Sequence, residues 1–175
     1  MTVEPDLKKL EVLAFDCQAT KNDPAKGHIL EMGWERSRAD MRPSPEERPF
    51  KSEFYLIQTP EPVNISPRIL SLTGIQPKEL ETAQHQTYVW KRLIRSAEET
   101  VRASSSSVCP MIIHYCGYEM PFLKKLYKEH PITAEFPFDI ICTHRIIQLL
   151  LPGLPRKGLR AAAGYFGHSL PSQRR

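Results

Sequence analysis

The stretch AFDCQAT, residues 14–20, closes a largely apolar run, KLEVLAFD (9–16), and decides how the whole chain is read. An apolar run of this length between polar neighbours reads as a central strand. Residues i and i+2 of an extended chain share a face, so Asp16 and Gln18 project together while Cys17 points into the core. The reading puts both at the C-terminal end of the strand, where open α/β sheets place their sites. A carboxylate there prepares a site for a hard cation, but the amide of Gln18 brings no charge to it.

Working outward, KNDPAKG (21–27) has turn chemistry, HILEMGWERS (28–37) resumes as a strand, RPSPEERP (42–49) reads as a loop, and FKSEFYLIQT (50–59) as a third strand. Short connections make these an antiparallel meander. Ser66 followed by Pro67 marks a helix start that Gly74 ends, and residues 84–103 carry apolar side chains at helical spacing. VCPMIIHY (108–115) reads as a buried strand, and MPFLKKLYKEH (120–130) as a helix with Pro121 in its first turn. FPFDII (136–141) is a short strand, and THRIIQLLL and GLRAAAGYFG give two short helices. The order βββ-α-β-α-β-αα is a mixed α/β domain with helices covering a sheet.

The 175 residues suit one domain with a real core, and 41% apolar with 25% charged residues describes a globular chain. Nothing approaches the roughly 20 apolar residues of a membrane span, and MTVEPDLKKL has no apolar signal segment, so no membrane role and a cytoplasmic setting are expected. Cys17, Cys109, Cys116 and Cys142 lack C-x-x-C spacing and read as reduced, mostly buried thiols. Net charge is +4, and no Asp or Glu follows Asp139, whereas Arg145, Arg156, Lys157, Arg160, Arg174 and Arg175 do. Such a basic segment suits phosphate contacts, though a solvated surface has the same composition. Glu119, after the buried strand 108–115, offers a second carboxylate that could join Asp16 around Mg²⁺, or could simply favour a helix dipole.

Four segments in order resemble the DnaQ-like (DEDD) 3′–5′ exonuclease family. FDCQAT with KGHILEMGW resembles its first motif, VNISPRILSLTGI the segment beside the site, and IIHYCGYEMPFLKKL its second motif. FDIICTHRIIQLLLPGLPRKGLRAAAGYFG resembles the stretch that leads to the final helix, so the match covers roughly residues 10–168. The resemblance implies an RNase H-like fold: a mixed five-stranded sheet flanked by helices. In the family four carboxylates hold two divalent ions, Mg²⁺ or Mn²⁺, which activate water and stabilise the leaving 3′ oxygen. Carried over, Asp16 is the first acid, Gln18 stands at the second as a neutral residue, and Glu119 stands at the third with an extra methylene. The resemblance also places Thr20, Leu72, Thr73, Gly74 and Tyr118 at the substrate, and makes His114 structural.

The fourth acid and the family's catalytic histidine belong on one more helix after Phe166-Gly167, but the sequence there reads HSLPSQRR and His168 comes too early. The expectation is therefore a single exonuclease-like domain over 1–175, truncated at its C-terminus, binding single-stranded 3′ ends with weakened metal binding and little or no hydrolysis. Two alternatives stand beside it. One is a genuine exonuclease whose natural chain continues past Arg175. The other is an interaction module whose exposed core surface docks a protein partner or further domain.

Overall fold

The structure, a computed structural model, describes residues 10–38, 52–59, 63–104 and 106–168. Its strands are β1 (Glu11–Ala19), β2 (Ile29–Arg38), β3 (Glu53–Leu56), β4 (Cys109–Ile113) and β5 (Phe138–Cys142). They form one mixed sheet in the order β3-β2-β1-β4-β5. The first three make the expected antiparallel meander, and β4 and β5 run parallel to β1. Thr20 fastens the first turn, its N–H donating to the His28 carbonyl at 2.9 Å and its hydroxyl accepting the His28 N–H at 3.0 Å.

The helices are α1 (Pro67–Thr73), α2 (Pro77–Leu80), α3 (Gln86–Ser104), α4 (Cys116–Glu129), α5 (Thr143–Leu150) and α6 (Leu159–Tyr165). Ser66 caps α1 by accepting the Ile69 N–H, Pro67 fills the first helical position, and Gly74 ends the helix in the left-handed region at φ 73°. Helix α3 presents Val89, Trp90, Leu93, Ile94 and Ala97 to Leu13, Phe15 and Cys17, while α4 adds Phe122, Leu123 and Leu126 to the same core. Full burial of each large apolar side chain contributes roughly 1.5–3 kcal/mol, so this layer supplies most of the driving force for folding. The Trp34 indole N–H in the layer is satisfied by Ser96 Oγ at 3.0 Å.

Local signals misplaced some boundaries. Strand β1 continues to Ala19 because β2 goes on pairing with it, so Asp16 and Gln18 lie inside the strand. On its other edge β1 pairs with β4 only at Leu13 and Ala14, and beyond Ala14 the two strands part. Helix α4 starts at Cys116, four residues before the expected position, and Pro121 falls inside it. Its first turn closes on the Tyr115 carbonyl, which accepts from Tyr118 N at 2.9 Å and Glu119 N at 3.4 Å. Glu119 thus belongs to the helix rather than preceding it. Helix α2 was not anticipated; the Gln76 N–H donates to its Glu79 carboxylate at 2.7 Å. The third strand spans 53–56, residues 50–51 of the expected strand and the loop 42–49 lie outside the described residues, and α3 runs 86–104. Among the described residues no helix follows α6, and no helix is long and apolar enough to cross a membrane.

Candidate active-site cleft

The crevice where β1 leaves β4 is the floor of a cleft of about 1290 Å³. Strand alternation puts the side chains of Leu13, Phe15 and Cys17 in the core and turns Ala14, Asp16 and Gln18 to the cleft. The pairing register then aligns Gly33 with Asp16 and Glu31 with Gln18, and both lie on the cleft lining. Gly33 leaves the space beside Asp16 free of a side chain. From across the crevice the first turn of α4 brings Tyr118 and Glu119, the loop into α6 brings Arg156, and α6 itself brings Arg160.

Glu119 is only 3% exposed, and burial is the main reason its pKa is raised to about 8. The negative charge of Asp16 and a hydrogen bond between the two carboxyls push in the same direction, against N–H donation from Tyr115 and Cys17. Glu119 therefore keeps its proton near neutral pH, as a buried carboxyl beside a second carboxyl does. Gln18 Nε2 donates to Asp16 Oδ2 at 3.0 Å, so the amide stabilises the charge on Asp16 where an acid would repel it.

His114 is pinned by Thr143 Oγ1 at 3.0 Å on Nδ1 and by the Lys157 carbonyl at 3.1 Å on Nε2. A carbonyl only accepts, so Nε2 carries the proton and Nδ1 accepts from the threonine. Burial holds the pKa of this ring below the usual histidine range. It ties the α5–α6 loop to the end of β4, a positioning role. Cys17 lies in the core with its thiol pushed well up by burial, which removes it as a nucleophile.

The cleft thus gathers Asp16, Gln18, Glu119, Thr73 and Tyr118 from the residues singled out in the sequence. Burial pushes the Tyr118 phenol up to about 12, and its ring packs on Phe122 at 5.5 Å. Thr20, Leu72 and Gly74 are not on the lining: Thr20 is buried with its hydroxyl on His28, Leu72 is exposed, and Gly74 ends α1. Within the basic segment, Lys157 turns its ammonium to the Leu154 carbonyl at 2.9 Å, Arg145 lies off the lining, and Arg174 and Arg175 lie outside the described residues. Sequence reading did not single out Glu31, or set Arg156 and Arg160 at the site. For Glu31 the available signal was alternation along 28–37 combined with a pairing register.

Asp16 and Glu119 offer oxygen donors suited to one hard divalent ion, which would displace the proton on Glu119. Gln18 brings no charge to a second ion, and among the described residues no group of three or more His, Cys, Asp or Glu is gathered to hold a metal.

No family model and no curated protein matches the sequence. Solved structures do. The nuclease domain of 3′hExo, a DEDDh family member solved bound to rAMP, superposes with a TM-score of 0.71 at 14% identity, covering 94% of this chain and 82% of that one. E. coli exonuclease I in complex with a 5cy-dA13 oligonucleotide gives 0.67 at 12% identity over 90% of this chain, which spans only 36% of that enzyme. A zinc-bound form of the E. coli enzyme with single-stranded DNA gives 0.66 at 12% identity. With a mixed sheet in the order β3-β2-β1-β4-β5 and α4 entering beside Asp16, the chain has the fold of the DnaQ-like 3′–5′ exonucleases.

Proposed function

We propose that this domain binds the 3′ end of single-stranded nucleic acid in the cleft, with one divalent ion at Asp16 and Glu119, and hydrolyses it slowly or not at all. The observation that carries the reading is the placement of Asp16 and the buried Glu119 in one cleft lined by Arg156 and Arg160, with a neutral amide at the adjoining position. The arginines supply charge to a phosphate backbone, and Tyr118 supplies an aromatic surface beside the carboxyls. A bound ion would neutralise a phosphate oxygen at that pair. In-line hydrolysis in this fold needs a second ion or a base to ready the water, and Gln18 provides neither. His114 is committed to Thr143 and Lys157 and does not serve as that base.

The test is a 5′-labelled single-stranded DNA or RNA oligonucleotide with Mg²⁺ or Mn²⁺, followed by anisotropy and on a denaturing gel. Binding that weakens steeply with salt, without appreciable shortening, is the expected result. Rapid 3′-end shortening would overturn the inactive part, and absence of binding the whole reading. A protein-docking role is favoured by one observation, the apolar residues that α5 leaves outside: Leu149 is 80% exposed and Leu150 73%. It becomes the better reading if oligonucleotide binding fails.

A further inference from the structure

Strands β4 and β5 are paired with Ile113 beside Cys142; β5 runs straight into α5, and β4 reaches α4 after His114 and Tyr115. Cys116 is the first residue of α4, and Cys142 is the N-cap of α5. The pairing register and the two helix starts therefore set Cys116 and Cys142 side by side at the ends of the paired strands. The Cys142 thiol also lies 3.7 Å from the His114 carbonyl. Cys116 is 8% exposed and Cys142 is half-buried, whereas Cys17 and Cys109 are sealed in the core at 2% and 0%.

We propose that Cys116 and Cys142 form a reversible dithiol–disulfide site that hydroperoxides such as hydrogen peroxide oxidise. Cys142 is the reacting thiol. Burial pushes its pKa up, but the N–H groups of Cys116, Arg145 and His144 and the Cys116 thiol outweigh burial and favour its thiolate. Burial and the hydrogen bond to Cys142 instead keep Cys116 protonated. The Cys142 thiolate attacks one oxygen of the peroxide; an S–O bond forms, the O–O bond breaks, and the hydroxide released takes up the thiol proton as water. The Cys116 sulfur then attacks the sulfenic sulfur of Cys142; the S–S bond forms, the S–O bond breaks, and hydroxide leaves with the Cys116 proton as a second water. Two thiols and one peroxide thus give one disulfide and two waters. The cross-link would join the turn that carries Glu119 to the one that carries Thr143, at the rim of the cleft.

The experiment uses the whole reduced wild-type chain, treated with hydrogen peroxide, blocked with iodoacetamide, digested with trypsin and sequenced by mass spectrometry. Cys142 is released in residues 129–145, and Cys116 together with Cys109 in residues 103–124, so fragment ions identify the partner. An intramolecular Cys116–Cys142 cross-link that dithiothreitol reverses is expected, with Cys17 and Cys109 still free. Cys116→Ser should leave a sulfenic acid on Cys142 that dimedone traps. Full alkylation of both thiols after peroxide, or cross-links through Cys109 or between chains in place of this one, would overturn the proposal. The wild-type digest decides it even if a serine variant does not fold.

Discussion

Replacing Glu119 by Gln tests the account of the cleft most directly, because it predicts a gain in stability from damaging the site. The native carboxyl holds its proton up to about pH 8, whereas in the unfolded chain it titrates at the ordinary 4.5. A group whose folded pKa is raised stabilises the fold fully below its unfolded value and loses that contribution as pH climbs through the folded one. At about pH 7 the wild-type fold has therefore lost roughly 3 kcal/mol that it held at about pH 4.5, taking 1.36 kcal/mol for each pH step. Gln copies the protonated acid: its oxygen can accept the Tyr115 N–H and its amide can donate to Asp16, but it does not titrate. Glu119→Gln should match wild type near pH 5 and exceed it by about 3 kcal/mol near pH 7, worth about 5–10 °C in Tm for a domain of this size. His114 acts in the opposite direction, since its lowered pKa removes stability as pH falls, but both proteins carry it. Thermal melts followed by circular dichroism across that range, with chelator present, give the comparison. Adding Mg²⁺ or Mn²⁺ should then raise the wild-type Tm and leave the variant unmoved. A stability difference that does not change with pH, or a variant less stable near pH 8, would refute the raised pKa of Glu119.

Gln18→Glu replaces the amide that donates to Asp16 with a third carboxylate, opposite Glu31 in the register. It should lower stability at neutral pH without metal and tighten divalent-ion binding by adding an anionic ligand; unchanged calorimetry would mean that residue 18 does not face the ion. Arg156→Ala should weaken oligonucleotide binding alike for all sequences and reduce the slope of log affinity against log salt by about 1, as measured by anisotropy. Gly74→Ala should cost about 1 kcal/mol in denaturant unfolding, since φ is 73° and an added Cβ would meet nothing within 4 Å, leaving backbone strain as the whole effect.

Asp16 and Gln18 were legible together because a two-residue period is a local property of an extended chain. The Ser66-Pro67 start and Gly74 stop of α1 were legible for the same reason: each cap is satisfied within its own turn. The start of α4 was not. Pro121 is a strong local signal for a first turn, yet the bonds that begin this helix run to the carbonyl of Tyr115, just past the end of β4. Thr20 lies off the cleft lining, its hydroxyl taken by His28 across the turn, a pairing that its own segment does not reveal.

Composition and periodicity by themselves determined a mixed α/β domain, and the order of the segments determined its resemblance to an exonuclease fold with a neutral residue where an acid belongs. Only the tertiary structure decided that Glu31 faces the same cleft as Gln18, that Arg156 and Arg160 line it, and that Glu119 is buried beside Asp16. The reason is physical. Which face a side chain takes follows from its own strand, but its neighbour across a sheet depends on pairing register, and its charge state depends on water excluded by residues a hundred positions away.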